Sequence, residues 1–117
     1  MTTDITIFHN TRCGTSRNAL AAIRAAGHEP QVVDYLANPP SREALQKMIH
    51  DAGLSVRDAV RSKEARFVEL GLDRPEVDDA ALLDAMVANP ILINRPFVVT
   101  LKGVRLCRPV ERVHEIL

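Results

Sequence analysis

The feature that most constrains this chain is a strand, a turn, a helix and a second strand set within its N-terminal third. Ile5-Thr6-Ile7-Phe8 is a short run with strong β character. His9-Asn10-Thr11 follows as a turn. Thr15 and Ser16 are candidate helix caps. The stretch from Arg17 to Ala26 reads as a helix with Ala19, Leu20 and Ile23 inward and Gly27 as its stop. Gln31-Val32-Val33-Asp34-Tyr35 is the second strand. Two strands joined by one helix form a βαβ unit, which implies a parallel pair with a right-handed crossover.

The middle of the chain reads differently. Asn38-Pro39-Pro40-Ser41 is a breaker followed by a cap, and Leu45, Met48 and Ile49 then fall at helical spacing before Gly53. Ser55 opens a short helix to Val60, Ala65 to Leu70 reads as another, and Asp78-Asp79 opens a fourth. The fourth carries Leu82, Leu83 and Met86, read as packing against the sheet, and Asn89-Pro90 ends it. Beyond it, Phe97 to Leu101 is a strand, Lys102-Gly103 turns the chain, and Val104 to Cys107 returns as a hairpin partner. Pro109 suits the first turn of a final helix with Val110 and Val113 inward. The order βαβ, helical block, ββα predicts an α/β fold: a thioredoxin-like core with an inserted helical block, about 42–89, as a single domain over 1–117. A chain of 117 residues can bury roughly two-thirds of its unfolded surface and needs no staples.

Composition removes several function classes. Lys plus Arg number 15 and Asp plus Glu number 15, so there is no basic surplus for nucleic acid. No window approaches a membrane span of roughly 18 apolar residues. Met1-Thr2-Thr3-Asp4 lacks the basic and apolar regions of a signal peptide, so a cytoplasmic location is expected. Cys13 and Cys107 are too few for a disulfide scaffold. Of the basic residues 12 are Arg and three are Lys. A GC-rich genome produces that bias, and so does a need for guanidinium forks around an oxyanion.

Cys13 is the candidate nucleophile. It lies between the first strand and the first helix, where unpaired N–H groups and the positive end of the helix dipole favour a thiolate. Arg12 and Arg17 flank it and His9 lies four residues before it. A dithiol oxidoreductase needs a second Cys at position 16, where this chain has Ser16. A phosphatase loop needs Arg at position 19, which is Ala19. His9, Cys13 and distant Cys107 do not have metal-ligand spacing, so no metal is expected. What remains is one activated thiol regenerated by thiols of other molecules, with Cys107 read as core.

The run His9-Asn10-Thr11-Arg12-Cys13-Gly14-Thr15-Ser16-Arg17-Asn18 resembles the active-site loop of the glutaredoxin-coupled, thioredoxin-fold arsenate reductases. The likeness continues through Gly53-Leu54-Ser55-Val56-Arg57 and Arg61, then Pro90-Ile91-Leu92-Ile93-Asn94-Arg95-Pro96 and Leu106-Cys107-Arg108-Pro109. The resemblance implies that Cys13 attacks arsenate, that Arg61, Arg95 and Arg108 surround the oxyanion, and that glutathione and glutaredoxin resolve the adduct and release arsenite. It implies supporting roles for His9, which helps lower the thiol pKa, and for Ser16, as a partner of the thiolate or a helix cap. It implies a cis peptide bond before Pro96. Glutathione is then a co-substrate, no cofactor is bound, and the expected protein is a monomer.

Two departures and one alternative accompany that resemblance. Thr11 stands where many members of the family have Pro, and some members continue beyond the position of Leu117 with a polar tail. The alternative is an arsenate-inactive member: a glutathione-linked thiol reductase, or a non-enzymatic regulatory binding module. Ser16 argues against the regulatory branch, which uses paired thiols. A binding module also has no reason to carry arginines at 61, 95 and 108 together.

Overall fold

Alternation sets the first strand, β1 (Thr6–His9), whose residues run half-buried, buried, half-buried, buried. The computed structural model describes residues 4–117. Met1-Thr2-Thr3, part of the segment weighed against a signal peptide, lie outside the described residues. The chain forms two compact units: the stretch up to Asn38 joined by Arg95–Leu117, and Pro39–Asn94.

In the first unit β1 leads into α1 (Gly14–Ala25) and then β2 (Gln31–Asp34), which pairs parallel to β1. β3 (Phe97–Thr100) lies antiparallel to β1, and β4 (Gly103–Leu106) antiparallel to β3. The four-stranded sheet has the order β2-β1-β3-β4. This is the mixed sheet of a thioredoxin-like α/β fold. One face carries Ile5, Ile7 and Val98, which pack with Ala19 and Ile23 of α1 and with Cys107, Val113 and Ile116. The apolar stripe of α1 and the end of the chain therefore cover the same side of the sheet, with α1 touching the final helix.

Two local expectations are corrected here. Thr15 and Ser16 do not cap α1; Cys13 is the N-cap residue, with extended backbone (φ −90°, ψ 120°), and both lie inside the first turn. The Ser16 hydroxyl is buried and bonded elsewhere, so it is not available as a cap. The final helix, Val110–Glu115, is of the 3-10 type. Its bonds run three residues back, from Arg112 N–H to the Pro109 carbonyl and from Ile116 N–H to the Val113 carbonyl.

The second unit is built from α2 (Arg42–Asp51), α3 (Val56–Ala59), α4 (Ala65–Glu69), α5 (Asp79–Ala88) and a 3-10 turn at Pro90–Leu92. Its starts are capped as the residue types require. Ser41 accepts from Ala44 N–H, Asp78 from Ala81 N–H, and Ser55 forms a capping box with Asp58. Gly53 and Gly71, after α2 and α4, have φ of +74° and +70°, a region that costs any other residue. Leu82, Leu83 and Met86 of α5 are buried, and within this unit α5 packs against α2, α3 and the 3-10 turn. An isolated antiparallel bridge joins Val60 to Ile93. No helix among the described residues is long and apolar enough to cross a membrane.

Candidate active site

The turn between β1 and α1 presents Cys13. Its backbone N–H bonds the Asn10 carbonyl at 3.0 Å, and its own carbonyl accepts from Arg17 N–H at 3.0 Å, the first bond of the helix. The thiol is partly exposed and unpaired with Cys107. The end of the hairpin lies beside it. The Arg108 guanidinium Nη1 sits 3.8 Å from Cys13 Sγ and donates to the Arg95 carbonyl at 3.0 Å. Arg95 is buried, and its guanidinium acts with that of Arg108 to lower the pKa of the same thiol. Both arginines precede prolines, and the Arg95–Pro96 bond is cis, as the resemblance implied; Arg108–Pro109 is cis as well.

Burial alone raises the Cys13 pKa, but it is outweighed. The Ser16 backbone N–H, in the first turn of α1, donates to the sulfur, and the Arg95 and Arg108 guanidinium groups bond it. The thiol therefore lies below its ordinary value. The physical cause is the one expected of a helix N-terminus, with two cations added. Those cations are not the sequence neighbours Arg12 and Arg17. Arg17 Nη1 instead donates to the Thr11 carbonyl at 2.8 Å and fastens the loop.

His9 and Ser16 stand one step behind the thiol. His9 Nδ1 is 2.6 Å from Ser16 Oγ, and Asn10 N–H donates to the same oxygen at 3.0 Å. Burial lowers the His9 pKa, Arg24 and Arg17 lower it further, and Asp34 opposes them. The lowered pKa favours the neutral imidazole, whose Nδ1 is within hydrogen-bond distance of Ser16 Oγ. Its contact is with Ser16, whose backbone N–H helps to lower the thiol's pKa.

Arg61, the remaining arginine singled out from the sequence, belongs to the second unit. Its N–H bonds the Leu92 carbonyl at 2.7 Å and its Nε donates to Glu64 at 3.2 Å. Cys107 is fully buried in the sheet–helix core, and burial pushes its thiol up to about 12, so it is chemically inert there. Among the described residues no group of three or more His, Cys, Asp and Glu side chains is placed to hold a metal ion.

Sequence reasoning assigned no role in the site to Asn10 or Tyr35. Asn10 is buried, its side-chain carbonyl accepts from Arg12 N–H at 3.0 Å, and its amide donates to the buried Tyr35 hydroxyl at 3.1 Å. The signal for half of this was present, because Asn in a turn commonly bonds the backbone two residues on. The Tyr35 contact joins residues 25 apart and has no local signature.

The sequence pattern of the ArsC family matches residues 8–116. The chain is 62% identical over 113 residues to "Arsenate reductase" of Rhizobium meliloti (strain 1021), covering 97% of this chain and 81% of the relative. It is 53% identical over 114 residues to "Arsenate reductase" of Escherichia coli (strain K12), with the same coverage. Among solved structures it resembles "Arsenate reductase from Vibrio cholerae", with a TM-score of 0.94, 41% identity and full coverage of both chains.

Proposed function

We propose, from the premise that this chain belongs to the ArsC family, that it reduces arsenate to arsenite through the Cys13 thiolate. The observation that carries this reading is one sulfur atom shared by a helix N-terminus and the Arg95 and Arg108 guanidinium groups. Arsenate carries negative charge near neutral pH, so an attacking thiolate meets repulsion. Guanidinium groups beside the sulfur offset that repulsion and stabilise charge developing on the arsenate oxygens. Arg61 joins the substrate-binding set on the motif match alone.

The reaction balances with thiols as the reductant. Cys13 sulfur forms a bond to arsenic, and one As–O bond breaks, its oxygen leaving as water after taking up protons. Arsenic is not yet reduced. A glutathione thiolate then attacks Cys13 sulfur. The new S–S bond forms, the S–As bond breaks, and its electron pair stays on arsenic, which leaves as arsenite. A glutaredoxin thiolate attacks the glutathione sulfur and returns Cys13 as thiolate. Ser16 in place of a nearby second thiol, and the burial of Cys107, support resolution by thiols of other molecules. On this reading the protein works as a cytoplasmic monomer without a bound cofactor, and glutathione is a co-substrate.

The test is arsenite formation from arsenate with glutathione and glutaredoxin, by the native chain and by Cys13→Ser. Turnover in the first and none in the second is expected. A native chain that reduces mixed disulfides with glutathione yet leaves arsenate untouched would make it a thiol reductase instead.

A further inference from the structure

Asn10 spends four polar groups on one short loop. Its backbone N–H donates to Ser16 Oγ, its backbone carbonyl accepts from Cys13 N–H, its side-chain carbonyl accepts from Arg12 N–H, and its side-chain amide donates to Tyr35. Three of these bonds end within the Cys13 loop or the first turn of α1. The fourth ends outside the loop, on a hydroxyl just beyond β2. Both Asn10 and Tyr35 are at most 2% exposed, so water does not substitute for a lost partner. An unmade bond at such a site leaves a buried polar group unsatisfied.

The distances at the sulfur explain why this matters. The Arg108–Cys13 contact is 3.8 Å, long enough that a small shift of the loop removes it. Ser16 N–H reaches the sulfur only while the first turn of α1 keeps its start at Cys13. The loop itself contains no proline and no covalent restraint between Asn10 and Gly14. Asn10 ties the residue before the nucleophile (Arg12), the nucleophile (Cys13) and the thiol's donor (Ser16) to one amide side chain and its backbone.

We propose that Asn10, anchored through the Tyr35 hydroxyl, is the positioning residue that holds Cys13 Sγ against its hydrogen-bond donors. This deepens the reading of Cys13 as the reacting thiol and rests on it. It is tested without arsenate. The rate of alkylation of Cys13 by iodoacetamide is measured against pH, with thermal unfolding recorded on the same samples, for the native chain, Asn10→Ala and Tyr35→Phe.

The expected result is an upward move of the alkylation midpoint by about one pH unit in Asn10→Ala, the scale of one aligned charge-assisted donor. Tyr35→Phe, which removes a single oxygen and keeps the ring, moves the midpoint in the same direction by less. Where Asn10→Ala does not fold, Tyr35→Phe decides. A folded variant with a lowered melting temperature and an unmoved midpoint overturns the proposal, because Asn10 is then structural only. A moved midpoint in a chain that never reduces arsenate supports the positioning role and refutes the proposed function, so the two failures are distinct.

Discussion

Arg108→Ala separates the chemistry of the site from its stability. The guanidinium makes two contacts: Nη1 on Cys13 Sγ at 3.8 Å and on the Arg95 carbonyl at 3.0 Å. The first is charge-assisted and lies beside the sulfur that attacks arsenate in the proposed function. Losing one such donor costs about 2.7–4 kcal/mol of transition-state stabilisation, or two to three decades in kcat. The second is a part-buried bond to the Arg95 carbonyl, and its loss costs about 1 kcal/mol of folding free energy. At about 2.1 cal/mol/K per residue, a chain of this length loses about 4 °C in Tm per kcal/mol. The assay is the coupled arsenite measurement at a temperature where unfolding curves show the variant folded. Expected are a loss of at least a hundredfold in kcat and a fall of only a few degrees in Tm. Arg108→Lys should fall between, because a compact ammonium keeps the charge but not the planar guanidinium that can grip an oxyanion with two donors. A kcat loss under tenfold in folded Arg108→Ala would refute the oxyanion role.

Cys13 also couples stability to pH. Its folded pKa lies below the ordinary thiol value of about 8.5, so its contribution is fully present above that value and is lost as pH falls through the folded pKa. The gap in unfolding free energy between the native chain and Cys13→Ser should therefore widen as pH rises from 6 to 9, by chemical denaturation; a constant gap would contradict an activated thiol. Cys107 should resist alkylation in the folded protein and react after unfolding, by mass spectrometry, and Cys107→Ser should retain turnover; a folded but inactive variant would mark a resolving thiol. Ser16→Ala removes the buried hydroxyl that bonds His9 and Asn10 N–H, at about 1–3 kcal/mol of stability, while the backbone N–H on the sulfur remains. Its Tm should fall more, relative to any change in alkylation midpoint, than that of Arg108→Ala.

The element order was legible because most local signals agreed with the final structure. The β-branched runs at 5–8 and 97–101, the stops at Gly27 and Gly53, and the caps at Ser41, Ser55 and Asp78 act within a few residues, and tertiary context did not override them. The start of α1 was misplaced by the same kind of reasoning. Thr15 and Ser16 have the right side chains for a cap, but burial turned Ser16 toward His9 and Asn10. Local propensity for the last helix, likewise, did not distinguish an α-helix from the 3-10 turn that six terminal residues adopt.

Local sequence alone determined that one thiol sits where a strand runs into a helix, because the pieces that place it are contiguous. Which charges reach that thiol was decided only by tertiary structure. Arg12 and Arg17 are its neighbours along the chain, yet Arg95 and Arg108 lower its pKa, brought there from the far end of the sequence by β3 pairing onto β1 and β4 onto β3. The Asn10–Tyr35 bond has the same origin, since parallel pairing of β1 with β2 sets residues 25 apart side by side. Strand pairing acts over distances that no local pattern encodes, and the electrostatics of Cys13 depend on it.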